Sequence, residues 1–382
     1  MPSLTWAQVN ARRLSRHGLT EPVTRDHLAE QVRAICGAHA QVMSAAETSI
    51  ALRVLSATAA DVRTALWEDR ALVKAFGPRG TVHLLHAADL PAWNAVLGAA
   101  LEPPGFASDV LMDERQTDAV VAALDAALAE DDRTLEELDA EVVRRAGRWA
   151  GDLVMPAFQD FWPRWRQAMR AAAFRGALCF GPNRGSRVTY TSPRRWLGTY
   201  REVPVPEATR TILHAYFRAY GPSRPEFLGR WLYGSPAWAR GAFQLLRDDL
   251  APVDVEGERL WQLAGDPVPD DELHGVVLLL PYFDAYAVGC HPRDRVFPGN
   301  AAERALARGG AGNVRVLLID GTVAGIWHQR RSGKRLELTV EPFRRLSTRE
   351  RKALDEQAER IGHIQGARAT LTIGTVTAGP HA

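Results

Sequence analysis

Lysine is nearly absent from this 382-residue chain: of 47 basic residues only Lys74, Lys334 and Lys352 are lysines. Lys74 is the one amine nucleophile before residue 334, so Schiff-base chemistry is not expected. Cysteine is equally scarce. Cys36, Cys179 and Cys290 stand far apart, with no CxxC or Cys/His pair at ligand spacing, which argues against a zinc site and a disulfide framework. The longest apolar run, Val276 to Leu280, is strand-sized, so no membrane-spanning helix is expected. The N-terminus lacks the basic-then-apolar layout of a signal peptide, and an intracellular protein is expected. Clustered carboxylates of the kind a Mg²⁺ nuclease needs are also missing, because the acidic stretch 113–141 spreads its charges over helix faces.

What is present describes an ordinary globular protein: 46% hydrophobic and 24% charged residues, in a chain long enough for two to four modules. The net charge of +2 hides a segregation. Residues 101–160 carry fifteen acidic and five basic side chains, and 161–240 carry three acidic side chains and fourteen arginines, so a block of −10 precedes one of +11. Such a division along the chain predicts a one-sided field that a polyanion can use.

The pattern of helix and turn signals repeats. Helices are predicted from Trp6 to His17 and after Thr24, a third on a capping box Ser44-Ala-Ala-Glu47, and a fourth after Thr58. A hairpin follows, Leu72 to Phe76 and Thr81 to Leu85. The order recurs with Thr117 to Leu128, the Thr134–Glu137 box, Trp165 to Phe174 and strands around Gly181–Arg187. It recurs again with Pro206 to Ala219, a box at Ser223-Arg-Pro-Glu226, Pro236 to Leu246, and strands around a Glu-Gly turn. Helices followed by a hairpin, three times over, suggest three winged helix-turn-helix units. From about Leu273 the pattern turns to strands, a β-rich domain of small-barrel type. The fold class expected is therefore α+β: winged helix 1 over 1–100, winged helix 2 over 101–200, winged helix 3 over 201–270, and a β-rich domain over 271–382.

Between the Gly37 helix stop and the next helix lies Ala38-His39-Ala40-Gln41-Val42-Met43. If this linker is extended, His39 and Gln41 face the same space. His39 can accept a proton near neutral pH, and the Gln41 amide can donate to and accept from a water. Spacing alone favours the plainer roles, a satisfied linker histidine and a polar group at a helix start.

Other residues shift that balance. Arg79-Gly80-Thr81-Val82-His83-Leu84 with Asp89-Leu90 resembles the hairpin of a bacterial winged-helix family, the AlkZ-like and YcaQ-like DNA glycosylases. Leu280-Pro-Tyr-Phe-Asp284-Ala-Tyr, Asp320-Gly-Thr-Val-Ala-Gly-Ile-Trp327-His-Gln-Arg-Arg331, and Tyr220-Gly221-Pro222 with Trp231 are similar to later blocks of that family. The resemblance implies monofunctional hydrolysis of the N-glycosidic bond of alkylated purines, such as N7-guanine natural-product adducts or crosslinks, leaving an abasic site. It implies repair or self-resistance in a bacterial, nucleoid-associated setting. It also implies a catalytic motif of Gln, an apolar residue, then Gln or Asp, in the first module. The matching positions here read His39-Ala40-Gln41, so the first departs from that pattern, and His39 serves either as a base or to orient water.

For duplex DNA, the expected contacts are Arg79, Thr81 and His83 on the first hairpin; Arg164, Arg166 and Arg170 before the second; and Asn183, Arg184 and Arg187 on it. Arg330 and Arg331 add a turn in the C-terminal domain. No cofactor or metal is expected, and the protein is read as a monomer. The alternative reading is a non-enzymatic winged-helix regulator, against which stands the lack of a heptad helix or an effector-domain signature.

Overall fold

Strong N-caps and glycine stops divide the first half of the chain into short helices, and the computed structural model follows those signals. It describes residues 2–102, 105–157, 160–267, 272–306 and 309–377. After a two-residue strand β1 (Ser3–Leu4), Thr5 opens α1 (Trp6–Arg16) with a capping box to Gln8. Next come α2 (Leu28–Ala34), a short strand β2 (Ala38–His39), α3 (Met43–Leu52) and α4 (Ala59–Trp67). A hairpin of β3 (Leu72–Phe76) and β4 (Val82–His86) follows, with β2 added to β4, and α5 (Leu90–Ala100) leads away.

The second round has α6 (Glu114–Glu130), β5 (Arg133–Thr134) and α7 (Leu135–Ala146). A small hairpin of β6 (Leu153–Pro156) and β7 (Phe161–Pro163) precedes α8 (Met169–Phe174). The wing is β8 (Cys179–Arg184) and β9 (Arg187–Thr191), with β5 on β9, and α9 (Pro193–Leu197) closes the round. The third has α10 (Val205–Tyr220), α11 (Pro225–Leu232), α12 (Pro236–Leu245), and β10 (Leu250–Val255) paired with β11 (Glu258–Leu263). Here Ser223 bridges Trp261, and β1 runs parallel to β10. The N-terminal strand thus completes a hairpin some 250 residues away, a pairing that no local signal announces.

Two of the expected helix caps are absent. Ser44 lies inside α3, whose N-cap is Val42, and Glu47 pairs with Arg63 of α4 instead. Ser223 bonds Tyr216 and the β-bridge, leaving Arg224 as an N-cap without a side-chain bond. In both cases a tertiary partner outcompetes the local cap.

The C-terminal part contains β12 (Val277–Leu280), α13 (Ala285–Gly289), α14 (Asn300–Ala305), β13 (Arg315–Ile319), β14 (Thr322–Ser332), β15 (Arg335–Pro342), α15 (Thr348–Ile364) and β16 (Arg368–Ile373). The strands form one sheet in the order β12-β13-β14-β15-β16, antiparallel except for the last pair. A parallel pair needs a crossover, which α15 supplies while packing on both β12 and β16. These two strands are sheet edges, so the β-rich part is a half-barrel, left open where a small barrel was expected.

Leu336, Leu338 and Val340 alternate inward along β15, as a half-buried strand requires. One hydrophobic core runs through the first and third helical rounds and this sheet. The second round has its own, built on Val120, Leu124, Leu138, Val142 and Trp165. The architecture is α+β, helical modules followed by a β-rich part. The boundary expected at 270/271 involves a residue outside the described ones.

Candidate active site and nucleic-acid interface

His39 pairs with His83 across β2 and β4, and the Ala40 N–H donates to the Val82 carbonyl at 2.7 Å. The ladder then ends, and residues 41–42 bend into α3. The linker is therefore not extended throughout. His39 is buried and lines a crevice, whereas Gln41 is exposed and does not line it. The two do not share one face, because the alternation that would align them stops at the end of the strand.

The His39 ring stacks on Phe283 at 4.3 Å between centroids and meets the edge of the His83 ring at 5.1 Å. The His83 Nδ1 lies 2.9 Å from the Thr81 carbonyl, which only accepts, so Nδ1 carries the proton and Nε2 is left as an acceptor. The His39 Nδ1 is buried without a hydrogen-bond partner, a feature native interiors rarely keep without a reason. Burial, and after it the charge of Arg79, lowers the His39 imidazole to about 4; burial, then His39 and Arg79, holds His83 well below its ordinary value. Both rings are neutral at physiological pH. The crevice has room of about 10 Å³, enough for about one water and far too little for a base.

Backbone strain gathers here. Among the described residues eight non-glycines have positive φ, and three of them, Cys36, Arg79 and Phe283, line this crevice. Each costs on the order of 1 kcal/mol or more relative to an unstrained conformation, and strain of this kind concentrates at functional sites. The surrounding structure holds it in place. Arg79 donates to the Trp231 carbonyl of α11 at 3.1 Å, and Tyr220 donates to the Ile35 carbonyl at 2.8 Å. Asp284, next to Phe283, forms a fully buried two-point ion pair with Arg53, the C-cap of α3, and accepts from Ser49. A side chain at Gly77 would collide with the His83 ring. Phe283 and Asp284 belong to a block visible in the sequence, but nothing local shows that they reach across to the first module.

The arginine block behaves differently from the one-sided field its sequence suggests. Arg166 pairs with Asp139, Arg175 with Asp118, Arg184 with Glu137 and Arg195 with Asp132. Arg164 donates to the Asp109 and Val110 carbonyls. The acidic and basic blocks fold against each other within the second round, and much of the segregation cancels. Arg184 also donates to the Asp132 carbonyl, so it is a brace of the hairpin.

Asn183 and Arg187 stand exposed at that hairpin, and Arg187 has no ion pair among the described residues. Arg170 likewise has none, and its guanidinium lies over the turn at Gly80, where a Cβ would approach it to 2.7 Å. Thr81 is half-buried, with its hydroxyl on the Pro78 carbonyl. Arg330 and Arg331 are exposed on the long β14–β15 hairpin, next to Lys334 and Arg335.

Helical modules with wing hairpins, a strained histidine crevice and arginines that have no ion pair among the described residues are features suited to handling DNA. A family model described as DNA glycosylase AlkZ-like matches residues 32–364, and the chain belongs to that family. It is 31% identical over 379 residues to an interstrand DNA cross-link repair glycosylase of Streptomyces sahachiroi, covering 95% of this chain and 97% of the relative. The solved structure of the S. sahachiroi DNA glycosylase AlkZ superposes with a TM-score of 0.80 at 29% identity, over 98% of this chain and 100% of that one. No helix among the described residues is long and apolar enough to cross a membrane.

Proposed function

We propose that the protein is a monofunctional glycosylase that hydrolyses the N-glycosidic bond of alkylated purines in duplex DNA, N7-guanine natural-product adducts or crosslinks, leaving an abasic site. The observation that carries this reading is the buried, unpartnered Nδ1 of His39 in a one-water crevice, within a chain of the AlkZ-like family. Each helical round inserts a short strand, or in the third a single bridge, between its helices and pairs it with the second wing strand. That is the topology of a winged helix-turn-helix, and we read three of them, bounded near residues 100, 200 and 270.

The chemistry asks little of the side chains. A base alkylated at N7 carries positive charge and departs readily, so no strong general acid is required. The site must hold a water near C1′ and stabilise an oxocarbenium-like sugar. A histidine held neutral by burial is a weak base but a good acceptor, so His39 orients the water. Gln41, exposed two residues along and outside the crevice, meets the strand, and a movement of the 41–42 bend on DNA binding brings its amide to the same water. Arg79, Thr81 and His83 fix the wing behind them, and Arg187, Arg330 and Arg331 contact phosphates. Incubating the protein with N7-alkylated duplex in EDTA tests this: free base and an alkali-labile site are expected. A strand nicked before alkali, borohydride trapping of protein on DNA, or loss of activity in EDTA would overturn it.

A further inference from the structure

Tyr233 is unusual on two counts. It ends α11 in the left-handed conformation, φ 63 and ψ 28, where a glycine would rest without strain, and the residue is 69% exposed. The left-handed conformation ends α11, yet a glycine would end it as well, and an exposed ring adds nothing to the core. The turn that carries it is nevertheless rigid: a Cβ at Gly234 would come within 2.6 Å of the Trp238 ring, and Ser235 caps α12 by accepting from the Trp238 N–H. A strained, firmly mounted and exposed aromatic side chain is a candidate contact group.

Its surroundings indicate what it contacts. Tyr233, Gly234 and Pro236 form the common wall of two open clefts of about 390 and 500 Å³, each large enough for a nucleotide. One holds Arg79 and Arg170, the other Arg230 and Arg240. Among the described residues Arg170, Arg230 and Arg240 make no hydrogen bond or ion pair. The lining carboxylates are Glu102 and Glu226, and Glu226 already lies 3.5 Å from Arg224. Arg79 also lines the His39 crevice, so the cleft that holds it opens beside the proposed reaction centre, and the second cleft continues from it across the Tyr233 wall. Unpaired guanidinium groups beside an exposed ring match a sugar–phosphate strand with an accessible base, phosphates on the cations and the base on the ring.

We infer that this double cleft seats the DNA strand that carries the adduct, with phosphates held by Arg170, Arg230 and Arg240 and the Tyr233 ring stacked on a base beside the reacting nucleotide. The inference rests on the glycosylase reading, and the experiment separates the two. A duplex with 2-aminopurine next to a tetrahydrofuran abasic analogue reports stacking by fluorescence, and single-turnover base release from an N7-alkylated duplex reports chemistry.

Tyr233→Gly relieves the backbone, so it should melt no lower than wild type. It should abolish the fluorescence change on binding and slow base release by about tenfold or more, the scale of one lost stacking contact. Tyr233→Phe should keep both signals. Replacing Arg170, Arg230 and Arg240 together should lower the salt slope of binding by about three, about one for each lost phosphate contact. If Tyr233→Gly releases base at the wild-type rate with the fluorescence change intact, the cleft assignment is wrong. If wild type releases no base yet shows a fluorescence change that Tyr233→Gly loses, the glycosylase reading fails and the strand-binding cleft stands.

Discussion

Acidification from about pH 8 to about pH 5.5 should destabilise the protein sharply, before most carboxylates begin to titrate. Four histidines, His17, His39, His83 and His291, are each less than one-tenth exposed. Burial, followed by neighbouring charges, lowers His17 to about 3, His39 to about 4 and His291 to about 2, and holds His83 well below its ordinary value. Among the described residues neither ring nitrogen of His291 has a hydrogen-bond partner, and those of His17 have only the Ala219 backbone. Because the folded-state values lie below the unfolded one, folding favours the neutral form. The associated stability is complete above the unfolded pKa near 6.5 and is lost as pH falls from there through the folded values.

At about pH 5.5 each unfolded imidazole is mostly protonated and each folded one is not, which costs a little over 1 kcal/mol per residue. The four together approach roughly 5 kcal/mol, the lower end of a typical domain's whole stability. Urea unfolding at a series of pH values, followed by tryptophan fluorescence and by far-UV circular dichroism, measures this as protons taken up on unfolding. The slope should approach four protons near about pH 5. His17→Phe, in a site walled by Tyr220 and Tyr286, should reduce it by one while leaving stability at about pH 8 little changed. A flat stability curve over this range, or a slope that His17→Phe does not alter, would refute the assignment of these rings as buried and neutral.

Three further outcomes follow from the same structure. Asp284→Asn leaves Arg53 buried without its counter-charge and should cost about 3–5 kcal/mol in chemical denaturation; a loss under about 1 kcal/mol would show that the pair does not hold the first module to the C-terminal part. Arg187→Ala and Arg330→Ala should each lower the salt slope of duplex binding by about one, whereas Arg166→Ala, whose partner is Asp139, should leave the slope unchanged and reduce thermal stability. The rate of base release should stay level through pH 6.5 and down to the pH at which the protein itself unfolds, because the depressed His39 imidazole remains neutral; a decline centred near 6.5 while the tryptophan fluorescence is still native would show a solvent-like histidine acting as base.

Local chemistry made most of this architecture readable. The Thr134–Glu137 box and the glycine turns are short-range signals that tertiary contacts support, and the helix–hairpin order survived intact. The failures have a common physical origin in partners distant along the chain. Glu47 reaches Arg63, Ser223 reaches Trp261 and β1 reaches β10, and in each case a long-range bond overrides the local pattern. The arginine block misled in part for the same reason, since Arg166, Arg175, Arg184 and Arg195 are neutralised by carboxylates that precede them by up to 63 residues, as in Arg195 with Asp132. At the site, the family blocks pointed to His39, His83, Phe283 and Trp231. The packing of Phe283 on His39 and the strained Tyr233 belong to contacts between modules, and no local signal marks them.

The central claim is that His39 and Gln41 together place the hydrolytic water. Single-turnover release of base from an N7-alkylated guanine duplex, compared among wild type, His39→Ala, Gln41→Ala and His39→Gln, tests it most directly. Each alanine variant should be slower by roughly a hundredfold or more with duplex affinity little changed, the scale of a lost water-positioning group. His39→Gln should retain much of the rate, since an amide can orient a water without taking its proton. Wild-type rates in both alanine variants would place the reaction elsewhere and leave this linker a structural element of the first wing.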